Sequence, residues 1–224
     1  MSKALLLILL AGNVIFLSAQ PAAVLIKRAD SLEAALNETA AYAEFRTVLR
    51  VDPRNYNALW KCSELCSRIG FRQPSKEKKA DYYNAARIYA ETAIKVNPGA
   101  ADGYYVLSLA MGRRAQMESG RDRIKAVREI RINAEKAIQI NPNHGRAWHV
   151  MGKWHYEISN LNRIEKAAVK IFYGGLPKSS FKESVAAYEK AMVLLRALPP
   201  IPEKTEDDKR IKAEGKTLME KWSK

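Results

Sequence analysis

Apolar side chains recur at three- and four-residue spacing from Val24 to Leu194, and no stretch alternates apolar and polar with period two. That pattern predicts helices and no strands. A longer period is laid over it. Leu49-Arg50-Val51-Asp52-Pro53, Ile94-Lys95-Val96-Asn97-Pro98 and Ile138-Gln139-Ile140-Asn141-Pro142 repeat one phrase, with prolines 45 and 44 residues apart. Each phrase reads as a helix end: two aliphatics, an Asp or Asn, then a Pro that cannot continue the helix. The flanks keep register. Six residues after each Pro stands Leu59, Tyr104 or Trp148, and nine after stands Cys62, Leu107 or Met151. Ten after stands a small residue, Ser63, Ser108 or Gly152; five before stand Val48, Ala93 and Ala137, and eight before Phe45, Ala90 and Ala134. A bulky ridge beside a small residue lets antiparallel helices approach closely and lets one pair stack on the next.

The predicted helices are Val24–Leu36 with Thr39–Val51, Asn55–Ile69 with Lys79–Val96, and Ala100–Met117 with Arg121–Ile140. A fourth pair, His144–Ser159 and Phe181–Leu194, encloses a short helix over Leu161–Phe172. Gly70–Lys79, Glu118–Gly120 and Asn160–Lys178 are expected as inserts between paired helices. The fold class is therefore all-α: a helical-repeat solenoid of about four helix pairs.

These positions resemble the tetratricopeptide repeat, whose period is about 34 residues. Here it is longer, so the pairs must carry extended helices or inserts. The runs Ala134–Asn143, His149–Tyr156, Tyr173–Phe181 and Thr205–Lys209 resemble, more narrowly, the regulator of microtubule dynamics protein family. That resemblance implies an all-helical repeat scaffold with no catalytic residues to carry over. Eukaryotic members associate with microtubules and organelle surfaces, a role that an exported chain would not share. The family pattern continues past Leu194 with a further proline and helix pair, whereas this chain runs on through Leu195 to Pro199-Pro200.

The two ends read differently from the repeats. Met1-Ser2-Lys3, the apolar run Ala4–Phe16 and Leu17-Ser18-Ala19 have the order of a secretory signal, with cleavage expected after Ala19. The alternative is a retained anchor over Ala4–Ile26, but Gln20 and Pro21 interrupt it, and a spanning helix wants roughly 20 apolar residues. The expected organisation is a signal over residues 1–19, repeats over 20–200 and a capping helix over 201–224. Thr205-Glu206-Asp207-Asp208 opens that cap, and Lys216, Lys221 and Lys224 close it with charges that suit the helix dipole. The chain is expected outside the cytoplasm, in a periplasm or outer envelope.

Composition changes the picture in two respects. The 224 residues include 32 Ala but only 11 Gly, 9 Pro and 2 Cys, which excludes collagen-like and disulfide-framework classes and favours helix. Cys62 and Cys66 lie four apart on one helix face, where a bridge has awkward geometry, so buried thiols are expected. The net charge is +14, and Gly112–Lys182 alone holds 15 basic and 6 acidic residues. The excess concentrates in two stripes at helical spacing. One is Arg121, Lys125, Arg128 and Arg131; the other is Arg163, Lys166 and Lys170. Either they are solvated faces, or they line one concave groove for an acidic protein or peptide, or they meet an anionic lipid surface. Nucleic acid is the weaker fit for an exported chain.

Tyr105, Trp154 and Tyr156 are candidate groove aromatics, with repeat packing as the alternative. No constellation for catalysis emerges. His149 and His155 fall on different helix faces, Gly174-Gly175 reads as a turn, and no Ser stands in a nucleophile-elbow context. The expectation is a non-enzymatic scaffold with no cofactor and no metal.

Overall fold

The three repeated phrases adopt one backbone geometry. Asp52, Asn97 and Asn141 close their helices at φ −132°, −141° and −132°, with ψ 87°, 86° and 94°. Each donates its N–H to the carbonyl four residues back, at 2.8, 2.9 and 2.9 Å. Each side-chain oxygen then accepts the N–H two residues ahead, across the proline, at 3.2, 3.2 and 3.0 Å. The phrase is a turn with a mechanism: Pro ends the helical ladder, and the Asx oxygen supplies an acceptor for the N–H that follows the proline.

The computed structural model describes residues 21–197. Among them are nine helices and no strand: α1 (Ala22–Ala34), α2 (Glu38–Val51), α3 (Tyr56–Phe71), α4 (Lys76–Val96), α5 (Ala101–Ala115), α6 (Gly120–Ile140), α7 (Gly145–Ser159), α8 (Arg163–Tyr173) and α9 (Phe181–Ala197). The expected signal segment 1–19 and capping helix 201–224 lie outside the described residues. No described helix is long and apolar enough to cross a membrane.

Consecutive helices pair as α1 with α2, α3 with α4, α5 with α6, and α7 with α9. The first helices also meet in succession, α3 against α5 and α5 against α7, more closely than α4 approaches α6. We call the first helices, α1, α3, α5 and α7, the inner layer. The extra length of the repeat goes mainly into the second helices, since α4 and α6 each run for 21 residues. The first expected insert shrinks accordingly, and the second lies over residues 116–119. Gly70 belongs to α3, and Lys76–Lys79 form the first turn of α4, capped by Ser75, whose Oγ accepts the N–H of Lys78 at 3.1 Å. The third insert remains and carries α8.

The small repeat positions are where the helices touch. Ser63 and Ser108 are fully buried, and Ser63 donates from Oγ to the Ala86 carbonyl of α4 at 2.8 Å. Gly152 lies beneath the Tyr188 ring of α9. A Cβ there would stand 2.8 Å from Tyr188 Cγ, too near to be accommodated without movement. Phe45, Val48, Ala90, Ala93, Ala134 and Ala137 are all fully buried, so the second-helix positions before each proline form the spine of the core. Cys62 and Cys66 are buried free thiols; burial raises both, Cys66 to about 12.

The Gly152 contact gives a direct test. Gly152→Ala should cost about 1–3 kcal/mol of stability, the usual penalty of overpacking a tight contact. Gly99→Ala, where the nearest atom is 3.6 Å away, should stay within about 0.5 kcal/mol. Urea denaturation of both variants checks the pair.

Candidate functional site

A chain of ion pairs and hydrogen bonds centred on the inner layer links five helices, α1, α2, α3, α5 and α7. Glu33 of α1 receives Lys61 at 2.8 Å and Arg68 at 2.5 Å, both from α3. Arg68 also reaches Glu38 of α2 at 3.2 Å and Glu64 on its own helix at 3.6 Å. Glu38 in turn holds Arg72, at the end of α3. Glu64 accepts the Tyr105 hydroxyl of α5 at 3.1 Å and Arg146 of α7 at 2.6 Å. Arg68 and Glu64 are only 5% and 4% exposed, so this is a desolvated network and not a surface ladder.

Its electrostatics follow from mutual compensation. Burial by itself would raise the carboxyl of Glu64, but Arg146, Arg68 and Lys61 outweigh it and hold the group at about 2. Glu33 is lowered for the same reason, against the same burial penalty. Arg68, desolvated but facing Glu64, Glu33 and Glu38, is held more firmly charged than usual. Burial raises the Tyr105 hydroxyl, and the Glu64 charge raises it further, so it stays a donor. Three cations reach from this layer toward solvent, each anchored on a buried carboxylate: Lys61 on Glu33, Arg72 on Glu38 and Arg146 on Glu64. Lys61 also lies 4.6 Å over the Trp60 ring.

The basic stripes are placed elsewhere. Arg121, Lys125, Arg128 and Arg131 stand on α6, a second helix, and face the α8 insert rather than the inner layer. The α6 stripe and α8 thus lie on the second-helix side of the stack. Two of these residues are structural. Arg128 donates to the carbonyls of Tyr173 and Gly175 at 2.5 and 2.6 Å. Arg131 donates to Glu135 at 2.6 Å and to the Lys178 carbonyl at 3.2 Å, with its guanidinium 5.1 Å from the centre of the Trp154 ring. Arg121, Lys125, Arg163 and Lys170 remain exposed, whereas Lys166 donates to the Ser159 carbonyl at 3.0 Å. A cleft of about 400 Å³ separates α6 from the end of α8, lined by Arg121, Lys125, Arg128, Phe172 and Tyr173.

The candidate aromatics are packing residues in two cases. Trp154 is buried, its indole N–H donating to the Val127 carbonyl at 2.8 Å. Tyr105 is buried within the charge network. Tyr156 is half-buried against Phe181, ring centres 6.1 Å apart. Each histidine has a local task. His144 caps α7 through the Ala147 N–H at 3.1 Å and reaches Asp102 at 3.3 Å. His149 packs edge-on against Tyr188. His155 is buried beside Trp154, with burial favouring its neutral form, and its Nδ1 is 3.5 Å from Glu183. Among the described residues no three His, Cys, Asp or Glu side chains converge as a metal site would require.

The comparisons with known proteins agree with this architecture. The family model described as "Regulator of microtubule dynamics protein 1-3" matches residues 25–196. Regulator of microtubule dynamics protein 3 of Xenopus laevis is 24% identical over 156 residues, covering 70% of this chain and 32% of that protein. Regulator of microtubule dynamics protein 1 of Bos taurus is 25% identical over 116 residues, covering 52% and 36%. The chain thus spans about a third of the length of these relatives. A thermophilic tetratricopeptide repeat protein of Thermus thermophilus superposes with a TM-score of 0.60 at 16% identity, over 91% of this chain and 93% of that one. That likeness establishes the tetratricopeptide-like fold.

Removing Arg68 should expose how much of the layer rests on it. Arg68→Met leaves Glu33, Glu38 and Glu64 converging without their shared cation, which should cost about 3–5 kcal/mol at neutral pH. The Glu64 carboxyl is depressed in the fold, so its contribution is complete above about 4.5 and disappears as pH falls toward about 2. Protonation also removes the charges that the variant leaves uncompensated. The gap between wild type and Arg68→Met, measured by urea denaturation, should therefore narrow across that window.

Proposed function

Because this chain belongs to the regulator of microtubule dynamics protein 1-3 family, we propose that it is a non-enzymatic helical-repeat scaffold that holds an acidic protein segment against its inner layer. The observation that carries this reading is the set of inner-layer cations. Lys61, Arg72 and Arg146 reach solvent while buried carboxylates fix their positions. A cation held in place before binding loses little side-chain freedom when it meets a partner's carboxylate. Trp60, half-buried beside Lys61, supplies an aromatic surface next to the charge. The non-enzymatic reading is supported by the histidines, each of which caps or packs a helix.

We further propose that the chain is exported, on the strength of the basic, apolar and small-residue order of its first 19 residues. In that setting the partner is a protein of the cell envelope and not tubulin. Amino-terminal sequencing of the purified mature protein should read Gln20-Pro21-Ala22; a start at Met1 or Ser2 would contradict cleavage.

Selection from a random peptide library tests the binding reading. Enriched peptides should be acidic, and their binding should weaken with salt. Lys61→Ala together with Arg72→Ala should weaken binding by about tenfold, in the range of two charged contacts. Arg163→Ala with Lys170→Ala should leave it unchanged. No enrichment, or peptides indifferent to the inner-layer pair, would contradict the proposal.

A further inference from the structure

We infer that α8 is a membrane-docking helix, lying in the interface of an anionic lipid surface with Ile164, Ile171 and Phe172 inserted among the lipids. These three side chains are 81%, 75% and 71% exposed, and no residue of α8 is buried. The helix meets the rest of the fold mainly through α6. Its ends are therefore secured locally. Asn162 and Glu165 form a reciprocal capping box, and Gly174, at φ +72°, closes the other end as the N–H groups of Gly174 and Gly175 bond back to Lys170 and Val169 at 3.2 and 3.1 Å. Such caps keep a short helix formed where packing does not.

At about 100° per residue, Ile171, Ile164, Ala168 and Phe172 share one arc of roughly 100°. Cations flank that arc on both sides. Beyond its Ile171 edge stand Arg163 and Lys170, both exposed. Beyond its Phe172 edge stands Glu165, engaged by the Asn162 N–H, and across the 400 Å³ cleft stand Arg121, Lys125 and Glu129 of α6, two cations to one carboxylate. An apolar ridge between two rows of Lys and Arg is the arrangement an interfacial helix needs, with side chains among the acyl chains and cations at headgroup level.

Size and charge favour a bilayer over the other possible occupants. Eleven residues of helix are about 16 Å long and 10 Å wide, so the ridge offers on the order of 160 Å², far below the roughly 800 Å² per partner of a stable protein interface. A second copy of the same ridge would also bring Arg163 and Lys170 against their own equivalents. A lipid interface has no such area requirement, and the net charge of +14 adds attraction to an anionic one. This surface lies on the second-helix side and is separate from the inner layer that the proposed function uses.

Vesicle co-sedimentation of the mature protein, beginning at Gln20, with phosphatidylglycerol in phosphatidylcholine against phosphatidylcholine alone, provides the test. The wild type should bind the anionic vesicles more tightly, and salt should weaken the difference. Ile171→Ser with Phe172→Ser, both at exposed positions, should leave the melting temperature unchanged and reduce anionic binding by about tenfold or more. A label sensitive to its surroundings adds a site-specific readout, because Cys62 and Cys66 are fully buried. On Phe172→Cys it should shift to the blue with anionic vesicles. On Ile88→Cys, at a 57% exposed position of α4, it should not. Binding that ignores the serine pair, or labels that shift equally or not at all, would overturn the inference. So would a dimer, seen by sedimentation, that the serine pair dissolves.

Discussion

The inner layer depends on one desolvated guanidinium. Arg68 meets Glu33, Glu38 and Glu64 from three helices, and through Glu64 the same network reaches Tyr105 and Arg146. Burying a charge is costly unless it is paired and hydrogen-bonded, and the cost falls steeply only when every member is satisfied. The network therefore specifies geometry more than it adds stability: α1, α3, α5 and α7 must stand where these groups can meet. The apolar core, by contrast, would tolerate small shifts of one helix past another.

Around that constraint the repeat does the rest. The Asx-Pro turn ends α2, α4 and α6 with the same dihedrals, so each new pair starts from the same orientation. Alanines and Ser63, Ser108 and Gly152 then allow close approach at the same register in the second, third and fourth pairs. α7 and α9 pack directly on each other, and the α8 insert that links them lies outside that pair, against α6. Arg128 and Arg131 fasten the return of that insert by holding carbonyls of Tyr173, Gly175 and Lys178. The outcome is two distinct surfaces: an inner face of anchored cations, and an outer ridge whose apolar side chains are left uncovered.

The repeat was legible in the sequence because its determinants are local. Pro53, Pro98 and Pro142 stop helices by covalent geometry, and the small residues at fixed offsets needed no knowledge of partners. The family resemblance was legible for the same reason. The charge network was not. Glu64 and Arg68 are four apart and look like an ordinary solvated helix pair; their burial depends on Glu33, some 30 residues earlier, and on Arg146, some 80 later. For the α6 stripe the sequence hid partners of another kind. Arg128 and Arg131 have the spacing of a solvated or ligand-binding face, but a loop 45 residues on supplies carbonyls to them. Trp154 misled because an aromatic on a repeat helix suits a groove as well as a core, and only the Val127 carbonyl decides between them.

The central claim is that the buried charges bind the first helices into one cooperative layer. Native-state amide hydrogen exchange, resolved helix by helix at neutral pH and at about pH 3, tests it most directly. The account predicts that α1, α3, α5 and α7 open with one shared free energy at neutral pH, that this value falls for all four together in acid, and that α8 exchanges fastest throughout. An α1 that opens independently of α5 and α7, with no response to acid, would contradict it.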